Sequence, residues 1–179
     1  MDNLIKVYDN VIGDDYCDKL IEKFKYNTQL HQNFDDRGMI FTQINIQKAG
    51  WLTDVKFLSN TFQQYFEKYK EDCGIIKQQM PVSYIIEPVR MKRYLANDYD
   101  EFKQHVDVNQ KTNCTRFLVF FIYLDNNIKG KTIFPNLSRE IDCKKGSLLI
   151  FPPMWPWLHA GQKAIRKSKY IIQSYLHYV

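Results

Sequence analysis

His105-Val106-Asp107 brings together two residue types that bind metals, one residue apart. In an extended segment side chains alternate, so the imidazole and the carboxylate face the same way. A second imidazole, His159, follows in Trp155-Pro156-Trp157-Leu158-His159-Ala160-Gly161. Two histidines and one carboxylate on one face of a metal form a triad that leaves coordination positions open on Fe(II). Lys169 comes ten residues after His159. Turned inward, it could hold a carboxylate by charge-assisted hydrogen bonds. The bland alternative is a surface His and Asp, with Lys169 one more residue of the basic run 166–169. His31, in a polar stretch, reads as a surface histidine.

Such a constellation needs a rigid frame, and composition allows one. The chain has 179 residues, 45% hydrophobic and 25% charged, enough for a substantial core in one domain spanning 1–179 and too apolar for disorder. An aromatic share of 15% favours strands. The net charge of +5 is modest and speaks for solubility before nucleic-acid binding. Cys17, Cys73, Cys114 and Cys143 are widely spaced with no CxxC, which predicts free thiols in a reducing compartment. The first residues lack the basic start and apolar run of a signal peptide, and no apolar stretch is long enough to span a bilayer. The expectation is a soluble, cytoplasmic protein.

Cys17, Leu20, Ile21 and Phe24 recur at helical spacing after a candidate N-cap at Asp14 or Asp15. Val55, Leu58, Phe62, Tyr65, Phe66 and Tyr69 predict a second helix over 54–73, with Gly74 as its C-cap. Residues 27–50 read as loop, with one candidate strand at 40–44. From about residue 75 the pattern turns to strands: 84–86, 89–95, 101–108, 116–124, 131–134, 147–151 and 169–179. The run 116–124 is apolar and aromatic after Arg116, as in a strand buried on both faces. Two helices followed by about eight short strands predict a mainly β, jelly-roll or barrel-like architecture, with the helices packed on one sheet. The helical support region would cover about 1–75 and the β core about 80–179.

At this point the chain resembles the Fe(II)/2-oxoglutarate-dependent dioxygenases, in their prolyl 4-hydroxylase-like branch. His105, Asp107, His159 and Lys169 match that family's His-x-Asp, distal His and Lys or Arg about ten residues later. Gly130-Lys131-Thr132-Ile133-Phe134-Pro135 is similar to its Gly-Gly-x-Thr-x-Phe-Pro stretch, with Lys131 in place of the second glycine. Residues 144–151 resemble its Pro-x-x-Gly strand, with Cys143 where proline is common.

The resemblance implies a double-stranded β-helix of cupin-like form, with Fe(II) held by His105, Asp107 and His159. It implies 2-oxoglutarate with its far carboxylate on Lys169, and Tyr94, Tyr123 and Thr132 as further co-substrate contacts. It implies hydroxylation of a C–H bond by O2, with succinate and CO2 as co-products and ascorbate as supporting reductant. Arg116, Tyr175 and His177 fall where the branch contacts peptide; Tyr99 and Phe102 would help form the substrate groove. Tyr175 stands where the family often has Trp. Phe102 replaces a usual tyrosine, so a hydroxyl that meets substrate or water is missing.

A peptidyl proline is the substrate the resemblance implies, within a peptide or protein partner. A free amino acid, another small molecule or a nucleobase would use the same chemistry. Nucleobase oxygenases often carry an arginine after the co-substrate residue, and 170–175 has none, which counts against nucleic acid. A non-catalytic jelly-roll binding module with zinc in the site is the rival of another class. No membrane partner is expected, and oligomeric state is open.

Overall fold

The computed structural model describes residues 2–36, 38–97 and 99–179; Met1, Arg37 and Asp98, the last within the expected loop 96–100, lie outside the described residues. Helix α1 runs over Asp14–Tyr26 and α2 over Leu52–Asp72. The α1 N-cap is Gly13, not an aspartate; Asp14 and Asp15 sit in the first turn, where their charge favours the helix N-terminus. Cys73 caps α2, and Gly74 follows with φ +65°, a conformation glycine adopts without strain. The buried stripe Leu20, Ile21 and Phe24 of α1 lies beside Leu58, Phe62, Phe66 and Tyr69 of α2 in one cluster. Asp54 ties the helices together, accepting hydrogen bonds from Tyr16 Oη (2.9 Å) and Lys23 Nζ (2.5 Å).

The strands are β1 (Lys6–Tyr8), β2 (Gln32–Asp36), β3 (Met39–Asn45), β4 (Tyr84–Ile86), β5 (Arg90–Tyr94) and β6 (Phe102–His105). They continue with β7 (Arg116–Tyr123), β8 (Asn127–Phe134), β9 (Arg139–Cys143), β10 (Leu148–Phe151), β11 (His159–Gly161) and β12 (Lys169–Tyr178). All pairings are antiparallel, in the order β1-β10-β7-β12-β5-β3-β6-β11-β8-β9, with β2 added to β3 and β4 to β12. This is the barrel-like double-stranded β-helix expected from the sequence. The continuity of the sheet past β3 rests on one register pair, Met39 with Phe102. There the sheet folds over, and the short sheet β6-β11-β8-β9 faces the longer one.

Two expectations are corrected. Residues 27–50 are not mainly loop but carry the hairpin β2–β3, paired over five positions. The first 75 residues are therefore not only helical, and β1 and β3 build the sheet. β2 is exposed at every position, so it lacks the alternation by which a strand is recognised. The strand β9 was also not anticipated.

Period-2 alternation divides the core. On β7, Leu118, Phe120 and Ile122 pack toward the helices, while Val119, Phe121 and Tyr123 point into the barrel. On β12, Tyr170 and Ile172 join the helix side and Ile171 and Tyr175 the interior. Phe62 of α2 stacks on Phe120 with ring centroids 4.9 Å apart, locking the helix layer onto the sheet. Among the described residues, no helix is long and apolar enough to cross a membrane.

Candidate active site

The inward faces of the strands place the chemistry. His105 ends β6 and His159 begins β11; the two are register partners, so sheet pairing alone sets their rings beside each other, with centroids 4.3 Å apart. Asp107 lies two residues beyond His105, its backbone held by an N–H bond of 3.1 Å to the Pro153 carbonyl. One ligand atom from each of the three residues lies within 4.8 Å of the others. Asp107 oxygens are 3.4 Å from His105 Nε2 and 3.7 Å from His159 Nε2.

Each imidazole is oriented from behind. His105 Nδ1 donates to the Lys103 carbonyl (2.7 Å) and His159 Nδ1 to the Trp157 carbonyl (3.0 Å). A carbonyl only accepts, so the proton belongs on Nδ1 and the lone pair on Nε2, facing the site. His105 Nε2, His159 Nε2 and Asp107 Oδ2 are buried and without a hydrogen-bond partner. Three orphaned acceptors aimed at one point are costly in a closed protein unless a cation takes them. The donor set therefore fits a divalent metal. Burial draws His159 down to about 4, so its imidazole is neutral at physiological pH. Burial works to raise Asp107, but the facing imidazoles and Lys92 outweigh it and hold the carboxyl at about 2. Neutral nitrogen and ionised oxygen are the states that bind metal.

Beside the triad lies a narrow chamber lined by Tyr94, Tyr123, Thr132, Lys169 and Gly161 among others. Lys169 is the register partner of Tyr94, and it is 4% exposed. Its ammonium lies 5.5 Å from the centre of the Tyr123 ring and 5.7 Å from that of Tyr94. Burial lowers its pKa. The Tyr123 and Thr132 hydroxyls are hydrogen-bonded at 2.7 Å. Gly130 allows β8 to pass close to this lysine: a Cβ there would sit 3.0 Å from Lys169 Cδ. Lys131, in place of the expected glycine, points away to Glu140 (2.9 Å) and Asp142 (3.3 Å) of β9.

On the other side of the triad a wide groove is lined by Phe34, Phe41, Phe102, Asn113, Arg116 and Tyr175. Arg116 is held by two bonds to Glu87, from Nε (2.6 Å) and from a terminal nitrogen (2.9 Å). Its guanidinium lies 3.9 Å from the centre of the Tyr175 ring. This clamp makes Arg116 a fixed wall of the groove.

The profile of the 2OG-Fe(II) oxygenase superfamily matches residues 89–177, a stretch that contains the triad and Lys169. The chain belongs to that superfamily. The chain is 32% identical over 104 residues to a protein of Acanthamoeba polyphaga mimivirus whose name assigns it provisionally to the prolyl 4-hydroxylases. That match covers 48% of the chain, which spans less than half (42%) of the mimivirus protein. Among solved structures, the chain is similar to a viral collagen prolyl hydroxylase from Paramecium bursaria Chlorella virus-1, bound to 2-oxoglutarate. That similarity has a TM-score of 0.68 and 19% identity, and covers 98% of this chain and 96% of that one. A prolyl hydroxylase from Trichoplax adhaerens in complex with a hypoxia-inducible-factor peptide superposes with TM-score 0.73 at 17% identity, covering 98% and 84%. These likenesses show the fold. Fe(II) and 2-oxoglutarate are the cofactor and co-substrate that family and triad imply.

Of the residues singled out from sequence, His105, Asp107 and His159 come together, and Tyr94, Tyr123, Thr132 and Lys169 share the chamber. Phe102 borders both spaces, its ring edge-on to His105 at 4.1 Å. Tyr99 and His177 do not line either space. Tyr99 is 74% exposed on the loop after β5, and His177 Nδ1 lies 3.2 Å from the Thr115 hydroxyl near the end of β12. Lys92, Gln43 and Gln173 face the site and were missed. A signal existed for two of them: Lys92 is two residues from Tyr94 and Gln173 four from Lys169, even spacings that share a strand face.

Proposed function

We propose that this oxygenase hydroxylates a peptidyl proline, with 2-oxoglutarate seated against Lys169 and the peptide laid in the aromatic groove beside the triad. The observation that carries it is the division of space about the three orphaned ligand atoms. A narrow chamber lined by the buried ammonium of Lys169 and a wider groove lined by Arg116 and Tyr175 meet at His105. Bound iron, with 2-oxoglutarate and O2, supplies the oxidation: one oxygen atom enters a C–H bond and the other enters succinate, with release of CO2.

The chain's residues position and protect. His105, Asp107 and His159 would hold the metal through three donors, a set that leaves positions for co-substrate and O2. Lys169 offers donors to the far carboxylate, and the Tyr123–Thr132 hydroxyl pair borders its path. Phe121, Phe134 and Phe151 pack around His159 and keep water from the ligands. Phe102, without a hydroxyl, offers an apolar ring where chamber and groove meet, which suits a pyrrolidine ring. Ascorbate would rescue iron oxidised in uncoupled cycles.

Anaerobic titration of the Fe(II)-loaded protein with 2-oxoglutarate should give the weak visible band of the chelate. Under O2, proline-rich peptides should stimulate succinate release and gain one oxygen each. A protein that gives no band, or whose band survives His105→Ala, is not reading iron through this triad. Turnover with free proline or oligonucleotides but not with peptides would overturn the substrate.

A further inference from the structure

Lys92 is a buried cation that neither the triad nor the co-substrate chamber accounts for. It lies on β5, turned inward by the same alternation that turns Tyr94 inward, and it is 7% exposed. Its ammonium lies 4.4 Å from the centre of the Phe41 ring and 5.1 Å from that of Phe102. Ring faces attract a cation but accept no conventional hydrogen bond. Among the described residues no carboxylate oxygen lies within 4.0 Å of it. Burial without a partner draws the amine down to about 7, although the Asp107 carboxylate pulls the other way.

Its position separates it from Lys169. Lys169 lines only the chamber, whereas Lys92 lines both chamber and groove and so stands at their junction. The inner groove adds Arg90 and Arg116, and these two share a single carboxylate, Glu87. Asp107 would be taken up by the metal, which leaves two carboxylates, Glu87 and Asp36, against the three cations Lys92, Arg90 and Arg116. The wall around the reacting position therefore carries cations in excess. An ammonium desolvated at that cost is retained most economically if the ligand brings its counter-charge.

We propose that Lys92 is a specificity-determining residue that binds a carboxylate of the substrate, next to the carbon that is hydroxylated. Two sources share this chemistry: an acidic residue flanking the target residue in a peptide, and the α-carboxylate of a free amino acid. The inference rests on the oxygenase reading of the site and on proline as the target, free or within a peptide.

The test uses the full chain loaded with Fe(II) and 2-oxoglutarate. Probes are paired: proline peptides with Glu or Gln beside the proline, and free proline or its amide. Binding is read anaerobically from the change in the visible band, and turnover from product under O2. Wild type should favour carboxylate over amide by about tenfold or more, the scale of a lost charge-assisted hydrogen bond. Lys92→Met should erase that preference while shifting 2-oxoglutarate affinity less than about threefold; Lys92→Arg should restore part of the preference. If free proline shows the Lys92-dependent preference and peptides do not, the carboxylate inference stands and the peptide reading falls. Three results overturn it: a wild type that distinguishes no acid from its amide, a preference that survives Lys92→Met, or a loss of 2-oxoglutarate affinity in Lys92→Met as large as in Lys169→Met.

Discussion

Replacing Lys169 with methionine should make the protein more stable and a worse binder of 2-oxoglutarate at once. Methionine keeps most of the alkyl length that packs beside Tyr94 and Tyr123, and it removes a charge that is 4% exposed. Among the described residues no carboxylate lies within 4.0 Å to offset that charge, and burial already lowers its pKa. Without co-substrate the ammonium is a net cost, so Lys169→Met should gain about 1–2 kcal/mol. At this chain length that is a rise of roughly 2–8 °C in Tm. With 2-oxoglutarate the sign reverses. Loss of charge-assisted hydrogen bonds to the far carboxylate costs about 1.5–3 kcal/mol, or roughly 10- to 150-fold in Kd. Metal affinity, set by His105, Asp107 and His159, should change less than about threefold. The assays are thermal melts of the metal-loaded protein with and without 2-oxoglutarate, and anaerobic titration of the chelate band. Equal losses of metal and co-substrate affinity would refute the role, as would unchanged 2-oxoglutarate binding in a destabilised protein.

His159→Ala should abolish metal-dependent thermal stabilisation and succinate formation while the metal-free chain still folds, because the imidazole's hydrogen bond goes to a backbone carbonyl, that of Trp157, and its other contacts are aromatic rings and the Asp107 carboxylate at 3.7 Å. A variant that keeps metal-dependent stabilisation would show that the ligands lie elsewhere. Gly130→Ala places a methyl 3.0 Å from Lys169 Cδ and from Asn127 Cβ, so it should weaken 2-oxoglutarate binding several-fold with metal affinity unchanged; calorimetry of each ligand separates the two. Lys92 gives a pH signature. Its folded-state value, about 7, is below the ordinary lysine value of 10.5, so between those limits the unfolded chain holds a proton that the folded chain lacks. Wild-type stability should therefore rise with pH through that window, by at most one proton or about 1.4 kcal/mol per pH unit from this group. Lys92→Met should be more stable than wild type at neutral pH and below, with the advantage shrinking toward pH 10.5. Parallel urea-denaturation curves for the two proteins across that range would contradict this.

The sequence by itself named the candidate metal ligands that the fold brings together. His105, Asp107 and His159 could be named because ligand type and the one-residue spacing are local properties, and the strands on either side announce themselves by apolar runs and turn residues. Helices α1 and α2 were equally legible, since their buried stripes repeat every three to four residues. β2 was not, because every one of its residues is exposed and it exists as a strand through its pairing with β3. The register that sets His159 opposite His105, and the carbonyls of Lys103 and Trp157 that fix both tautomers, appear only when the strands meet. The same holds for the two lysines. Alternation gives the face of a strand on which Lys92 and Lys169 lie, but whether a buried ammonium finds a carboxylate depends on residues distant in the chain. Only the folded barrel shows that neither lysine has an ion-pair partner among the described residues, one beside the chamber and one at its junction with the groove, because burial and pairing are properties of the assembled neighbourhood rather than of the strand.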